Sequence, residues 1–214
     1  MKLYSFFNSS TSYRVRIALA LKGLDYLYEG VNIRVLANRA DEYVQKVNPS
    51  AAVPALDDAG FVLGQSMAIL DYLDQKYPET YRLLPEDVIQ RARILEFASV
   101  ISCDIHPINN LRVLRYLQSE LKLTEAQKKQ WYEHWVQDGL AMAERLLEAH
   151  GYGEWCFGDQ PTLADCCLVP QLANAERMGC DLSAFPRLVS VYQQAITHEA
   201  FQRAQPKEQP DFIA

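Results

Sequence analysis

The 214-residue sequence has no apolar run near the ~20 residues that span a bilayer, which excludes a helical membrane span. Its first residues, MKLYSFFNSS, carry one lysine but no apolar run followed by a small-residue cleavage site, so no signal peptide is expected. Basic charge is also short. Against 27 Asp and Glu stand 21 Lys and Arg, leaving −6 with neutral histidines. That balance points away from nucleic acid and from anionic membranes as partners. The chain has 4 histidines, and no spacing among them matches a metal site. Its 5 cysteines (Cys103, Cys156, Cys166, Cys167 and Cys180) are odd in number and form no C-x-x-C. This fits a reduced, cytoplasmic compartment better than a disulfide framework.

What is present is an ordinary globular composition, 49% hydrophobic, 11% aromatic and 22% charged, enough for one large domain or two small ones. Residues 1–78 mix short β-like runs with helices. Met1 to Phe7 is a compact apolar and aromatic run that reads as a buried strand. Ser9 to Ser12 supply N-cap types for a helix whose Val15, Ala18, Leu19 and Lys22 fall at i, i+3, i+4 and i+7, with Gly23 as its C′ residue. Tyr26 to Ile33 reads as a second strand, and a polar, helical stretch with Arg39, Asp41, Glu42 and Lys46 follows. VNPSAAVPALDDAGFVLGQS then gives a loop, two short strands about the Asp57–Gly60 turn, and an N-cap at Ser66. The next helix is lined by Ile69, Leu70 and Leu73 and stops near Pro78. The order β-α-β-α-β-β-α favours a parallel pairing first and a hairpin at the end. Residues 79–86 read as a connector. From 87 to 214 only helical patterns occur, at 87 to about 120, 124 to about 150, 162 to about 178 and 183 to about 204. The second half is therefore expected to be an all-α domain, with an irregular tail AQPKEQPDFIA.

Several stretches carry candidate chemistry. The hydroxyls of Ser9, Ser10, Thr11 and Ser12 could simply cap the first turn of a helix. The same corner could also hold an anion. A helix N-terminus carries partial positive charge, hydroxyls donate hydrogen bonds, and the corner past a strand's C-terminal end is open in α/β folds. A thiolate would suit it, because hydrogen bonds to the charged form lower a thiol's pKa from ~8.5, each unit being worth ~1.4 kcal/mol. The corner has no cysteine of its own. That excludes a thioredoxin-like reductase and requires any working thiol to arrive with a ligand.

Val53–Pro54 precedes a short strand. A trans proline at a strand start is the commoner arrangement. A cis bond would turn the backbone N–H and C=O of Val53 outward, free to pair with a peptide-like ligand. Gln65 and Ser66 open another helix, either as a plain cap or as a carboxylate site. CDIHPINNLRVLRY puts a His-Pro inside a helical pattern. This predicts a kink near His106, with Asn109, Asn110 and Arg112 one or two turns on. Thr162 and Asp165 form a T-x-x-D variant of the capping box, a structural device. Cys166 and Cys167 read as small core residues of the helix it starts.

These stretches, in this order, resemble the glutathione transferase family over essentially the whole chain, most closely its zeta class of maleylacetoacetate and maleylpyruvate isomerases. That class is marked by a Ser-Ser-Cys-x-x-Arg-Val-Arg-Ile-Ala-Leu corner; residues 9–19 here read SSTSYRVRIAL. NPSAAVPAL, QSMAILDYL, HPINNLRVL and PTLADCCLVPQ also match. The resemblance implies a thioredoxin-like α/β N-terminal domain, an all-α C-terminal domain, a homodimer, and glutathione as cofactor. By position, it implies that Ser9 stabilises the thiolate, with Ser10 and Thr11 beside it. Val53, before a cis Pro54, would pair with the cysteinyl backbone. Gln65 and Ser66 would hold the γ-glutamyl end, and His106 and Asn109 would reach the glycyl end. Arg177 matches a substrate-carboxylate arginine of the maleylpyruvate isomerases. Two positions depart from the pattern. Thr11 replaces the cysteine, as in the maleylpyruvate branch. Asn8 stands where the class usually has an arginine that clamps a substrate carboxylate, a role that Arg14, Arg112 or Arg177 would then take.

The implied activity is glutathione-dependent cis–trans isomerisation of maleylacetoacetate or maleylpyruvate to the fumaryl isomer, in the catabolism of aromatic amino acids or other aromatic compounds. The partner would be a small dicarboxylate, with no nucleic acid and no membrane. The same thiolate could instead displace a leaving group, giving conjugation or dehalogenation of small α-halo acids. A third reading is a non-catalytic regulator built on the same fold. The retained hydroxyl corner, Val53–Pro54 and Gln65–Ser66 argue against it.

Overall fold

Strand β1 (Lys2–Ser5) is one of two inner strands of a four-stranded sheet in the computed structural model, which describes residues 1–213. A helix, α1 (Ser10–Lys22), carries the chain back so that β2 (Leu27–Gly30) can pair with β1 in parallel, a pairing that always needs such a crossover. Short 3₁₀ turns at Ile33–Val35 and Ala37–Arg39 lead to α2 (Asp41–Lys46), so the second strand ends earlier than its apolar pattern suggests. β3 (Ala55–Asp58) then pairs antiparallel with β1 and with β4 (Phe61–Gly64), giving the order β2-β1-β3-β4. Asp57 closes the hairpin, its Oδ1 accepting the Gly60 N–H at 2.8 Å. α3 (Ser66–Lys76) completes the expected β-α-β-α-β-β-α order.

α1 is buried over most of its surface. Val15, Ile17, Ala18 and Leu19 are fully enclosed, and so are Arg14 and Arg16. Gly23 ends the helix at φ 65°, the left-handed conformation that its position calls for. The last turn is pinned by a buried ion pair, Lys22 Nζ to Asp74 Oδ1 at 3.0 Å. The Asp74 carboxylate also accepts the N–H groups of Leu83 and Leu84.

The second part of the chain is helical. α4 (Val88–Ser99) passes into a π-helical turn at Val100–Ile105, and the chain breaks at His106–Asn110 before α5 (Leu111–Ser119), where the His-Pro predicts a break. α6 (Glu125–His150) starts from a reciprocal Thr124–Gln127 cap, and α7 (Leu163–Arg177) from the Thr162–Asp165 pair read in the sequence. Cys166 and Cys167 lie in the core, fully buried. No helix among the described residues is long and apolar enough to cross a membrane.

The helical pattern expected over 183–204 divides into α8 (Pro186–Ala195) and α9 (Glu199–Ala204). His198 caps α9, its Nδ1 accepting the Ala200 N–H at 3.2 Å. Two compact units result. One joins residues 1–84 to the segment from Ala195 onward; the other is residues 85–194. The C-terminal segment thus departs from the expected limit, which put all of 87–214 in one helical domain. The physical reason is α1: Tyr13 Oη donates to the Phe201 carbonyl at 3.5 Å and Arg16 Nε to the Ala204 carbonyl at 2.9 Å. The described part of the tail expected to be irregular, 204–213, also has structure of its own. It forms a 3₁₀ turn at Pro206–Glu208, and Asp211 bonds back to Tyr28 of β2 and to the Phe7 N–H in the turn that follows β1.

Candidate functional site

The residues from Phe6 to Ser9 join β1 to α1 and belong to neither. The Ser9 N–H bonds the Phe6 carbonyl at 3.0 Å, which closes the turn. Ser9 is the N-cap of α1, and its Oγ accepts the Ser12 N–H at 3.2 Å. The same Oγ lies 3.0 Å from Thr11 Oγ1, which donates to the Val53 carbonyl at 3.2 Å. With the Thr11 proton committed to Val53, the Ser9 proton has two places to go: Thr11 Oγ1 or an incoming anion. Ser9 and Ser10 are buried, while Asn8 and Thr11 are half-buried. No acidic residue occupies the first turn of α1, so the helix dipole favours negative charge beside Ser9. One hydroxyl can therefore cap the helix and offer its proton to an anion.

Thr11 joins this corner to the Val53–Pro54 peptide, which is cis. Three side chains hold the loop in front of it. Asn38 Nδ2 donates to the Ala51 carbonyl at 2.6 Å, while Tyr43 Oη and Asn48 Nδ2 donate to the Ala52 carbonyl at 2.7 and 2.9 Å. Asn48 Oδ1 in turn accepts from the N–H and Oγ of Ser50. Gly64 makes room for Asn48: a Cβ there would lie 3.0 Å from Nδ2.

The head of α3 differs from expectation. Ser66 is its first residue rather than its cap. The N-cap is the exposed Gln65, at φ 67°, and no side chain caps the helix. The Ser66 Oγ instead accepts from Arg14 Nη1 at 3.3 Å. Arg14 is 2% exposed, and its Nε and Nη2 have no hydrogen-bond partner. Burying a guanidinium with two of its nitrogens unpartnered costs several kcal/mol, of order the penalty per buried ion. An anion at the head of α3 would relieve that cost. It would meet the Arg14 charge, the helix dipole, and the Ser66 hydroxyl, whose oxygen already accepts from Arg14 and whose proton is left to donate.

In the helical unit, His106 is half-buried just past the π-helical turn, its Nε2 3.1 Å from Asn110 Nδ2. A Cβ at Gly139 would fall 2.2 Å from Ile105 Cγ1, so α6 packs hard against this turn. Asn109 Nδ2 donates to the Tyr132 carbonyl at 3.4 Å, and its Oδ1 is buried without a partner. Burial pushes the Tyr132 phenol up to about 12, with Arg177 pulling against it. Arg177 itself is exposed at the end of α7, with Nη2 donating to Asn174 at 3.2 Å. Arg112 is exposed in the first turn of α5.

Sequence reasoning passed over the loop supports Asn38, Tyr43 and Asn48. Only Asn48, in an Asn-Pro step, carries a turn signal. It also passed over Arg16. That guanidinium is fully enclosed and donates to the Ala204, Phe6 and Phe7 carbonyls and to Ser5 Oγ. Burial pushes its pKa down, while Tyr28, Tyr26, Tyr13 and Asp211 oppose the shift.

Comparison with known proteins matches residues 1–75 to the glutathione S-transferase N-terminal domain and residues 128–194 to the glutathione S-transferase C-terminal domain. A maleylacetoacetate isomerase of Pseudomonas aeruginosa is 48% identical over 213 residues, covering 99% of this chain and 98% of that one. A holo structure of a maleyl pyruvate isomerase, described as a bacterial glutathione S-transferase in the zeta class, superposes with a TM-score of 0.96 at 43% identity and covers 100% of both chains. A maleylacetoacetate isomerase of Methylobacterium extorquens, solved with bound malonate and glutathione, gives a TM-score of 0.94 at 32% identity, again over 100% of both chains. The chain belongs to the glutathione S-transferase family, in its zeta class.

Proposed function

We propose that this chain is a glutathione-dependent cis–trans isomerase of maleylacetoacetate or the analogue maleylpyruvate. The observation that carries the reading is a hydroxyl corner with no thiol of its own at the head of α1, together with a buried Arg14 that bonds Ser66 at the head of α3 and has two nitrogens without a hydrogen-bond partner. Relatives named for this reaction, one of them solved with glutathione and a dicarboxylate, support it.

Glutathione, when bound, supplies a thiol nucleophile able to add reversibly to an activated C=C bond and so free it to turn. The chain's own residues hold and tune it. Ser9 would donate a hydrogen bond to the sulfur, its proton staying on oxygen, and so hold the sulfur ionised, with Ser10 and Thr11 beside it. The Val53 backbone, before Pro54, pairs with the peptide. Gln65 and Ser66 take the γ-glutamyl carboxylate, and the bond from Arg14 to Ser66 puts the Arg14 charge behind them. His106 and Asn109 keep the glycyl role that the family resemblance gives them. Arg112 and Arg177 face the substrate's carboxylates, and Asn8 donates to one of them in place of the usual arginine.

The test uses purified protein, glutathione and maleylacetoacetate. The expected result is the fumaryl isomer with glutathione unconsumed. Stoichiometric loss of glutathione would assign conjugation or halide displacement instead, and no binding of glutathione would return the chain to a non-catalytic role. The same reading makes the protein a cytoplasmic homodimer in tyrosine catabolism. Its cysteine usage supports the compartment, and light scattering of the purified protein tests the dimer.

A further inference from the structure

The Phe7 residue is held on both sides by opposite charges. Arg16 Nη2 donates to its carbonyl at 3.0 Å, and Asp211 Oδ2 accepts its N–H at 3.2 Å. Asp211 comes from 204 positions along the chain. Its other oxygen accepts the Tyr28 hydroxyl at 2.6 Å, which ties the carboxylate to β2. Gly30 allows the approach, since a Cβ there would lie 3.1 Å from Asp211 Cβ. The next residue, Phe212, packs edge-on against the Phe7 ring with centroids 5.4 Å apart. Arg34 stands over the rings of both Phe6 and Phe7.

This matters because of what Phe7 leads to. The turn from Phe6 to Ser9 has no strand or helix of its own to hold it. Its rigidity comes from the Ser9 N–H on the Phe6 carbonyl, from Arg16 on the Phe6 and Phe7 carbonyls, and from Asp211 on the Phe7 N–H. Only the last of these comes from the C-terminal segment. A rotation of the Phe7 peptide would carry Ser9 with it. A functional hydroxyl must be held to within about 0.5 Å, and a displacement of about 1 Å can cost roughly a hundredfold in rate.

We propose that Asp211 is a positioning residue for the hydroxyl corner. The C-terminal segment is a strap whose carboxylate, set against Arg16, fixes the Phe7 peptide and through it the Ser9 hydroxyl. The proposal rests on the thiolate role of Ser9 given above. It assigns a task in the first unit to residues that the domain pattern of the family matches leaves outside both matched segments.

The experiment compares wild type, Asp211→Ala and Asp211→Asn. One readout is the pH titration of the thiolate absorbance with glutathione bound. The other is backbone amide exchange of Ser12 in the ligand-free protein, since that N–H reports where Ser9 Oγ sits. Asp211→Ala should raise the thiol midpoint by about one pH unit and lower kcat about tenfold, with KM for glutathione within about twofold. Ser12 exchange should quicken about tenfold as the local opening becomes easier. Asp211→Asn keeps an acceptor for the Phe7 N–H and should fall between, and it decides the matter if the alanine variant does not fold. Unchanged thiol midpoint and unchanged Ser12 exchange, with only a lowered melting temperature, would overturn the strap and leave Asp211 a plain stabilising contact. A wild-type protein that shows no thiolate with glutathione overturns the proposed function, and Ser12 exchange then still tests the strap.

Discussion

Ser9 does two things with one hydroxyl, and the two separate on mutation. Its oxygen caps α1 through the Ser12 N–H, and its proton is available to an anion. Ser9→Ala should cost about 1 kcal/mol of stability from the lost cap. It should slow isomerisation by about one to two decades, the equivalent of one hydrogen bond to a charged group at ~1.5–3 kcal/mol. A melt and a kcat on the same preparation check both, and an unchanged rate would move the role to Ser10 or Thr11. A second residue, Asp58, governs a pH window. Tyr77 and Tyr72 donate to its Oδ2 at 2.6 and 2.9 Å. The bond from Tyr77 leads in holding the Asp58 carboxyl below its ordinary value, and the bond to Asp58 pushes the Tyr77 phenol up to about 12. A depressed carboxyl stabilises the fold above its unfolded pKa of ~3.9 and loses that as pH falls through the folded value; a raised phenol stabilises below ~10 and loses that as pH rises toward the folded value. Asp58→Asn should therefore cost about 1 kcal/mol or less at neutral pH, given partial exposure. Urea midpoints should converge with wild type in both acid and alkali. Residue types at the corner were legible because caps are local in sequence. The partner of Arg14 was not, because helix periodicity tells which face is buried but not what lies opposite.

At the scale of elements, what could be read was what the chain decides locally. The crossover order, the Asp57–Gly60 hairpin, the Gly23 stop and the break at His106 each follow from a few neighbouring residues. So does the start of α7. Thr162 Oγ1 accepts the Ala164 N–H, and Asp165 Oδ2 accepts the Thr162 N–H at 2.6 Å, while Asp165 Oδ1 takes the Cys156 N–H at 3.0 Å. Thr162→Ala should lower stability by about 1 kcal/mol and leave kcat and KM unchanged, since the residue touches nothing in the proposed chemistry. A changed kcat would mean that α7 is coupled to the site. The head of α3 was misread for the opposite reason. Ser66 has the right type for a cap, but its hydroxyl is taken by Arg14 from another element. Strand β2 was overextended because Val31 and Ile33 continue its apolar pattern into the 3₁₀ turn.

At the scale of the molecule, the C-terminal segment was assigned to the helical half by continuity, because a helical pattern runs through 183–204 with no proline after Pro186, near its start. Its true place depends on contacts 188 positions apart, which no local pattern records. Those contacts make a prediction about folding. A chain ending at Gln194 would strip Arg16 Nε of the Ala204 carbonyl, the Phe7 N–H of Asp211, and the core of Phe201, which is fully buried. Loss of one buried aromatic alone costs about 3–5 kcal/mol, and leaving a buried charge short of its partners adds to that. Whole-protein stabilities are only about 5–15 kcal/mol, so residues 1–84 should lose their fold in this truncation. Residues 85–194 carry their own core of Phe97, Ile101, Leu140 and Leu168 and should keep theirs. Limited proteolysis should then cut only within 1–84, and a peptide of residues 195–213 added in trans should restore protection. Resistance of 1–84 in the truncated chain, or cleavage spread evenly over both units, would show that α9 and the tail merely decorate a unit that stands without them.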